Sequence, residues 1–292
     1  MNFFRALFGG KIETSEEKKK EDEAKNFDVL KYDGVRAMRS GQLDYATKCF
    51  RHALEIKDDL EIHDYLSQVL IQQNELTDAY DELRKLADAQ PDNQQIFIRM
   101  ANVAYMMEDY VAMGDACEKA LLIDRENPLV SYLYARASKG QGDVVNTIAM
   151  LTRAITLDDK YGDAYLLRGE TLLAMGDVQG AESDTQWLMD NTQDNEDVLM
   201  LKARLEHAKG NADEAVNVYN KVIDVNPFSI EAYKERGALL METGDKEGAA
   251  ADMQKVLELS PKDIADINGD FSSEGIEAKT RKAYANNPLG LG

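Results

Sequence analysis

The stretch AYLLRGETLLAMGDVQGAESD, Ala164–Asp184, returns 68 residues later as AYKERGALLMETGDKEGAAAD, Ala232–Asp252. Ala-Tyr, Arg-Gly, Gly-Asp, Gly-Ala and the closing Asp all recur in register. A related copy, DVLMLKARLEHAKGNADEAVNVYNKVIDVNPF, runs between them from Asp197 to Phe228, so the stride is 34 residues. Working outward, units begin near Phe27, Leu60, Gln94, Pro128, Gly162, Glu196 and Ile230, and only the second step departs, by one residue. A chain that repeats itself at this distance is built from one supersecondary unit. Each copy is too small to bury its own apolar face and must stack on the next.

The positions within a unit say what that structure is. The eighth place is small throughout: Gly34, Ser67, Ala101, Ala135, Gly169, Ala203 and Gly237. The twentieth is small in Ala46, Ala79, Ala181, Ala215 and Ala249, with Met113 and Thr147 as exceptions. Small residues on facing sides let two helices approach closely, and larger ones at i, i+3, i+4 and i+7 fill the seam. Gly41, Gly142, Gly176, Gly210 and Gly244 stand where the first helix must end in a left-handed residue. Asp143, Asp177, Asn211 and Asp245 follow as candidate caps of the second helix. Pro91, Pro227 and Pro261 close units, with Asp58, Asp159 and Gln193 in that place elsewhere. The third unit has no turn glycine and reads MMEDYVAM around Glu108, which predicts a slightly irregular joint. Five prolines and one Trp, against abundant Ala, Leu, Glu, Lys and Met, favour helix over strand.

This layout resembles the tetratricopeptide repeat family over about four fifths of the chain. Its leading Trp is replaced by Leu30, His63, Phe97, Ser131, Tyr165, Leu199 and Tyr233. The resemblance implies an all-α, right-handed superhelical solenoid of about seven helix-turn-helix repeats with a C-terminal capping helix. The expected organisation is an apolar head and charged linker over 1–26, seven repeats over 27–263, and a loop with a capping helix over 264–292. That last helix would start at Ser273 and run to about Ala285, with Ile276 and Tyr284 as apolar contacts. The charged stretch after the Gly-Gly hinge is expected to be a mobile linker or frayed helix.

In that family the first helices line a concave face that grips peptides or partner helices. Projected by helical phase, this face carries Tyr32, Arg39, Tyr65, Gln68, Arg99, Asn102 and Tyr105 in the first three units. Tyr132, Leu133, Arg136, Leu166, Leu167, Met200, Arg204 and His207 follow in the next three. Tyr and Arg carry much interface energy, and Arg binds carboxylates in bidentate fashion. Two readings stand side by side. Arg99, Arg136 and Arg204 form a positive strip for an acidic segment, or they pair with neighbouring Asp and Glu across repeats. Some family members clamp a terminal carboxylate with Lys and Asn; Lys31 fits the first place, but Val35 and Tyr65 replace the two Asn. A chaperone-tail adaptor of that kind is therefore not expected.

A formal net charge of −20 with no basic stripe repels nucleic acid and anionic lipid. Cys49 and Cys117 form no CxxC pair and read as small buried hydrophobes in a reducing cytoplasm. His52, His63 and His207 lack zinc-ligand spacing. The acidic run Asp266 to Glu277 has Phe271 where a calcium loop needs glycine, so no metal or other cofactor is expected. No phosphate-binding loop, GxSxG or HExxH points to an enzyme. The expected function is a non-catalytic scaffold or adaptor for a protein or peptide, its oligomeric state open. The alternative is a membrane-peripheral assembly factor recruited through Phe3, Phe4, Leu7 and Phe8, which share one helical face in the N-terminal head.

Overall fold

The computed structural model describes residues 15–192 and 195–260 and is all-α over them. It comprises α1 (Ser15–Arg39), α2 (Leu43–Ile56), α3 (Leu60–Gln72), α4 (Leu76–Ala89), α5 (Gln94–Met106), α6 (Tyr110–Ile123) and α7 (Pro128–Gly140). There follow α8 (Val144–Leu157), α9 (Gly162–Ala174), α10 (Val178–Asn191), α11 (Glu196–Ala208), α12 (Ala212–Val225), α13 (Ile230–Thr243) and α14 (Lys246–Leu259). Odd-numbered helices open a repeat and even-numbered helices close it. Leu60, Gln94, Pro128, Gly162, Glu196 and Ile230 are the first residues of α3, α5, α7, α9, α11 and α13.

The chain divides after Gly142 into two compact units, α1–α7 and α8–α14, and the division falls inside the fourth repeat. The N-terminal helix begins well before Phe27: the charged stretch from Ser15 is continuous with the first repeat. Lys25 and Glu21, 2.9 Å apart at i,i+4 spacing, support that extension. Phe3, Phe4, Leu7 and Phe8 lie outside the described residues. So do Pro261, Gln193, the 264–292 segment with Ser273, Ile276 and Tyr284, and the Asp266–Glu277 run.

Within each unit every helix packs on its chain neighbour, and some opening helices also touch, as α1 with α3, α5 with α7, and α9 with α11. The seam is where sequence placed the small residues. All seven eighth-place and all seven twentieth-place side chains are buried, including the exceptions Met113 and Thr147. Thr147 avoids an unsatisfied hydroxyl by donating to the Asp143 carbonyl at 2.7 Å. Gly34 shows why smallness matters: a Cβ there would stand 2.5 Å from Phe50 Cε1. Phe50, Ile62, Leu66, Leu70 and Leu83 then fill the core of the first unit. In the second unit Leu188, Val198 and Leu201 form one cluster and Val218, Tyr219, Val222 and Leu239 another.

The joint of the third repeat is regular, contrary to expectation. Glu108 adopts φ 57° and Asn74 φ 61°, the conformation taken by Gly41, Gly142, Gly176, Gly210 and Gly244 elsewhere. The closing bonds match as well: Asp109 N–H donates to the Ala104 carbonyl at 2.9 Å, as Gln42 does to Ala37 and Asp177 to Leu172. Hairpin packing imposes the turn whether or not glycine is present. Of the candidate caps, Asp143, Asp177 and Asp245 accept from backbone N–H groups of their helices. Asn211 does not; its amide donates to Glu206 Oε2 at 2.7 Å instead.

Candidate functional site

The first unit presents α1, α3, α5 and α7 as its opening helices, and most of the projected residues lie on them. Tyr32 is 68% exposed, with the Arg36 guanidinium carbon 5.9 Å from its ring centre. Lys31 Nζ donates to Glu61 Oε2 at 2.5 Å and lies 3.8 Å from Asp59. Tyr65 donates its hydroxyl to the other Glu61 oxygen at 2.8 Å and stacks on Phe50 with ring centres 5.7 Å apart. The bond to Glu61 holds the Lys31 ammonium and the Tyr65 hydroxyl above their ordinary pKa values, while Lys31 and Tyr65 hold the Glu61 carboxyl below its own. Along the next rung Arg99 donates to Asp64 and, at 2.6 Å, to Ser67 Oγ. Gln68 Nε2 donates to Asp64 Oδ2 at 2.9 Å. Arg39 and Asn102 are exposed.

Arg136 is held differently. Its guanidinium carbon lies 3.7 Å from the centre of the Tyr105 ring on α5 and 5.8 Å from that of Tyr132, one turn back on α7. No carboxylate among the described residues pairs with it. Tyr105 is 39% exposed and meets Tyr110 edge-on at 6.3 Å. Leu133, projected onto this face, is instead buried in the core.

In the second unit Arg204 is neutralised by its own chain. Nε donates to both Glu235 oxygens, at 3.0 and 3.1 Å, and Nη2 to Glu231 at 2.5 Å and Glu235 at 2.7 Å. Burial is the largest influence on the Arg204 pKa and works to lower it, but the Glu235 bond and the charges of Glu235 and Glu231 together outweigh it and the net shift is upward. Tyr219 donates to Glu235 Oε2 at 2.7 Å, and burial followed by that neighbouring carboxylate raises its hydroxyl pKa. His207 Nε2 is 3.1 Å from Glu242 Oε2. Met200 is core, and Leu166 and Leu167 are half-buried. Arg99 and Arg204 are thus braces between repeats, and Arg136 alone of the three keeps its N–H edge unclaimed by an acid.

Sequence projection found the basic residues and missed their partners. The closing Asp of the repeated phrase was the available signal. Asp184, buried, accepts two bonds from Arg168, at 2.9 and 2.6 Å, and Asp252 accepts the same two from Arg236, at 2.9 and 2.5 Å. Arg168 also lies 5.6 Å from the Tyr165 ring and Arg236 5.5 Å from that of Tyr233, so the shared Tyr, Arg and Asp form one device made twice.

A groove of about 770 Å³ on the first unit was not anticipated either. Tyr80, Phe97, Met100, Leu122 and Ile123 are among its lining, with Lys119 over the Phe97 ring at 5.9 Å. Cys49 and Cys117 are buried free thiols, and burial pushes the Cys117 pKa up to about 12. His63 is buried between Asp58 and Glu82. Among the described residues no His, Cys, Asp and Glu group could hold a metal ion, and no helix is long and apolar enough to cross a membrane.

A family model described as tetratricopeptide repeat matches residues 200–264, covering α12, α13 and α14. The helical hairpins that stack in both units have that family's form. Residues 200–264 carry the tetratricopeptide repeat sequence, and the described residues have the fold of such proteins. Among proteins with curated descriptions none matches its sequence. A tetratricopeptide repeat protein from Parabacteroides merdae is similar in structure at 15% identity, over 90% of this chain and 100% of that one, with a TM-score of 0.68. Pseudomonas aeruginosa pilF matches 72% of this chain and 96% of its own at 18% identity and a TM-score of 0.55. YrrB, described as a tetratricopeptide repeat protein with an unusual peptide-binding site, matches 68% of this chain and 97% of its own at 15% identity and a TM-score of 0.51. At such identities the likeness is one of fold.

Tetratricopeptide repeats bind protein or peptide partners, and which side chains remain available for that differs along this chain. Lys31, at the first place of the family's carboxylate clamp, is paired here with Glu61 and Asp59.

Proposed function

We propose that this protein is a non-catalytic scaffold that binds a peptide or helical segment along the opening helices of its first unit. The observation that carries this reading is a division of labour among side chains. Most small and aliphatic residues of α3, α5 and α7 are buried in the stacking, whereas Tyr32, Asn102 and Tyr105 remain exposed, Tyr105 against Arg136. Aromatic and Arg side chains dominate interface energies. The opening helices of the second unit give most of their charge to internal pairs and are assigned a supporting role. A carboxylate in the partner fits a face on which Arg136 meets no acid of its own among the described residues. A cytoplasmic location belongs to the same reading, since a reducing compartment maintains Cys49 and Cys117 as thiols.

Affinity purification with the full chain as bait, followed by mass spectrometry, tests the proposal. Tyr32→Ser combined with Asn102→Ala alters two exposed side chains, so the thermal midpoint should hold within a few degrees. The set of specifically retained proteins should shrink or vanish. Retention of the same partners at the same stoichiometry would remove the face from consideration.

A further inference from the structure

We infer that Arg136, set between Tyr105 and Tyr132, is a receptor for a single carboxylate of the bound peptide. The inference rests on the scaffold reading above and narrows it to one subsite and one ligand chemistry. The chain carries 54 Asp and Glu against 34 Lys and Arg, so a cationic side chain usually finds an acidic neighbour. Arg99 has Asp64, Arg168 has Asp184, Arg204 has Glu231 and Glu235, and Arg236 has Asp252. Arg136 is half-buried and has none among the described residues.

What holds it is aromatic. A guanidinium is planar and weakly hydrated over its faces, so a ring stacked 3.7 Å away satisfies a face without using any N–H group. The donors lie in the guanidinium plane and stay available. Stacking also fixes that plane before a ligand arrives, which lowers the ordering cost of binding. A planar fork of in-plane donors matches the two oxygens of a carboxylate. Tyr105 belongs to α5 and Tyr132 to α7, so the subsite exists only where two successive repeats stack. It is also separate from the Lys31 position, where the family's clamp begins. The net charge of −20 opposes a long run of acids, so the ligand is a peptide with an isolated carboxylate and not a polyanion.

That carboxylate could be a side chain or a chain end, and the test separates the two. The full chain is applied to an array of random decapeptides, each made with a free and an amidated C-terminus. The best binders are remade with Asp and Glu replaced by Asn and Gln, and affinities are read by fluorescence anisotropy. One of the two replacements should weaken binding about tenfold, the expected loss of a charge-assisted pair. Loss on amidation assigns a terminal carboxylate, loss on Glu→Gln or Asp→Asn a side chain, and both outcomes support the subsite. Arg136→Gln should abolish the difference between acidic and amide peptides, and Arg136→Lys should restore little of it, because an ammonium offers no fork. Arg51→Gln, at an exposed arginine of the closing helix α2, should change affinity less than twofold. Binders indifferent to both replacements overturn the carboxylate receptor and leave the scaffold reading standing. An array with no binder at all overturns both. The peptide-side comparison uses the unaltered protein, so it decides the matter even if an Arg136 variant fails to fold.

Discussion

Glu108 occupies a backbone conformation that costs an L-residue with a Cβ about 1–2 kcal/mol, and its side chain makes no hydrogen bond or ion pair among the described residues that would offset it. Glu108→Gly should therefore stabilise the first unit by about 1 kcal/mol, after allowing for the greater freedom glycine gains in the unfolded chain. A rise in the urea midpoint with an unchanged slope checks it; a fall would mean that the carboxylate has a compensating role. Asn74→Gly should give less, because Asn tolerates the left-handed region better. At this scale the sequence is legible wherever a residue type answers a local demand. The five turn glycines announce themselves, as do the capping aspartates 143, 177 and 245. Glu108 does not, because the demand placed on it comes from the packing of α5 against α6 and not from its own preference. The same holds for Arg99, Arg136 and Arg204, identical in type and opposite in fate, since the neighbouring repeat decides which of them meets an acid.

At the scale of one hairpin, α9 and α10 are held by more than apolar contact. Arg168 reaches Asp184 with two donors and Thr152 with a third, and the Asp is buried. Removing one partner of such a pair leaves the other desolvated without compensation, which costs more than the pair contributes in net. Asp184→Ala should thus destabilise the second unit by about 3 kcal/mol. A double-mutant cycle with Arg168→Met should show strong coupling, with the double variant less damaged than Asp184→Ala alone. A cost below about 1 kcal/mol would reduce the pair to a surface contact. The phrase repeated after 68 residues is the visible trace of this device, because α13 and α14 build it again through Arg236 and Asp252. Repetition in sequence showed that these residues matter together. Which atom meets which became apparent only once the two helices were side by side.

Across the molecule, stability in stacked repeats is close to a sum over units and nearest-neighbour interfaces. A cavity should therefore be felt locally. Leu201→Ala empties a fully buried site against Leu188 and Val198 and should cost about 3 kcal/mol. Hydrogen exchange should then accelerate in α10 and α11 while amides of α3 and α4 keep their protection; uniform acceleration would instead mean a single cooperative fold. Structures at 15–18% identity share this architecture, which shows how few positions the architecture requires. From the sequence alone came the stride, the helical hairpin, the small residues at the seam and the glycines of the turns, because each is dictated by contacts within a repeat that every copy must satisfy. The tertiary structure alone decided the start of the first helix at Ser15, the division after Gly142, the burial of Leu133 and Met200, and the isolation of Arg136. These depend on what a neighbouring repeat presents, and a repeating sequence leaves such surface pairings free to vary from copy to copy.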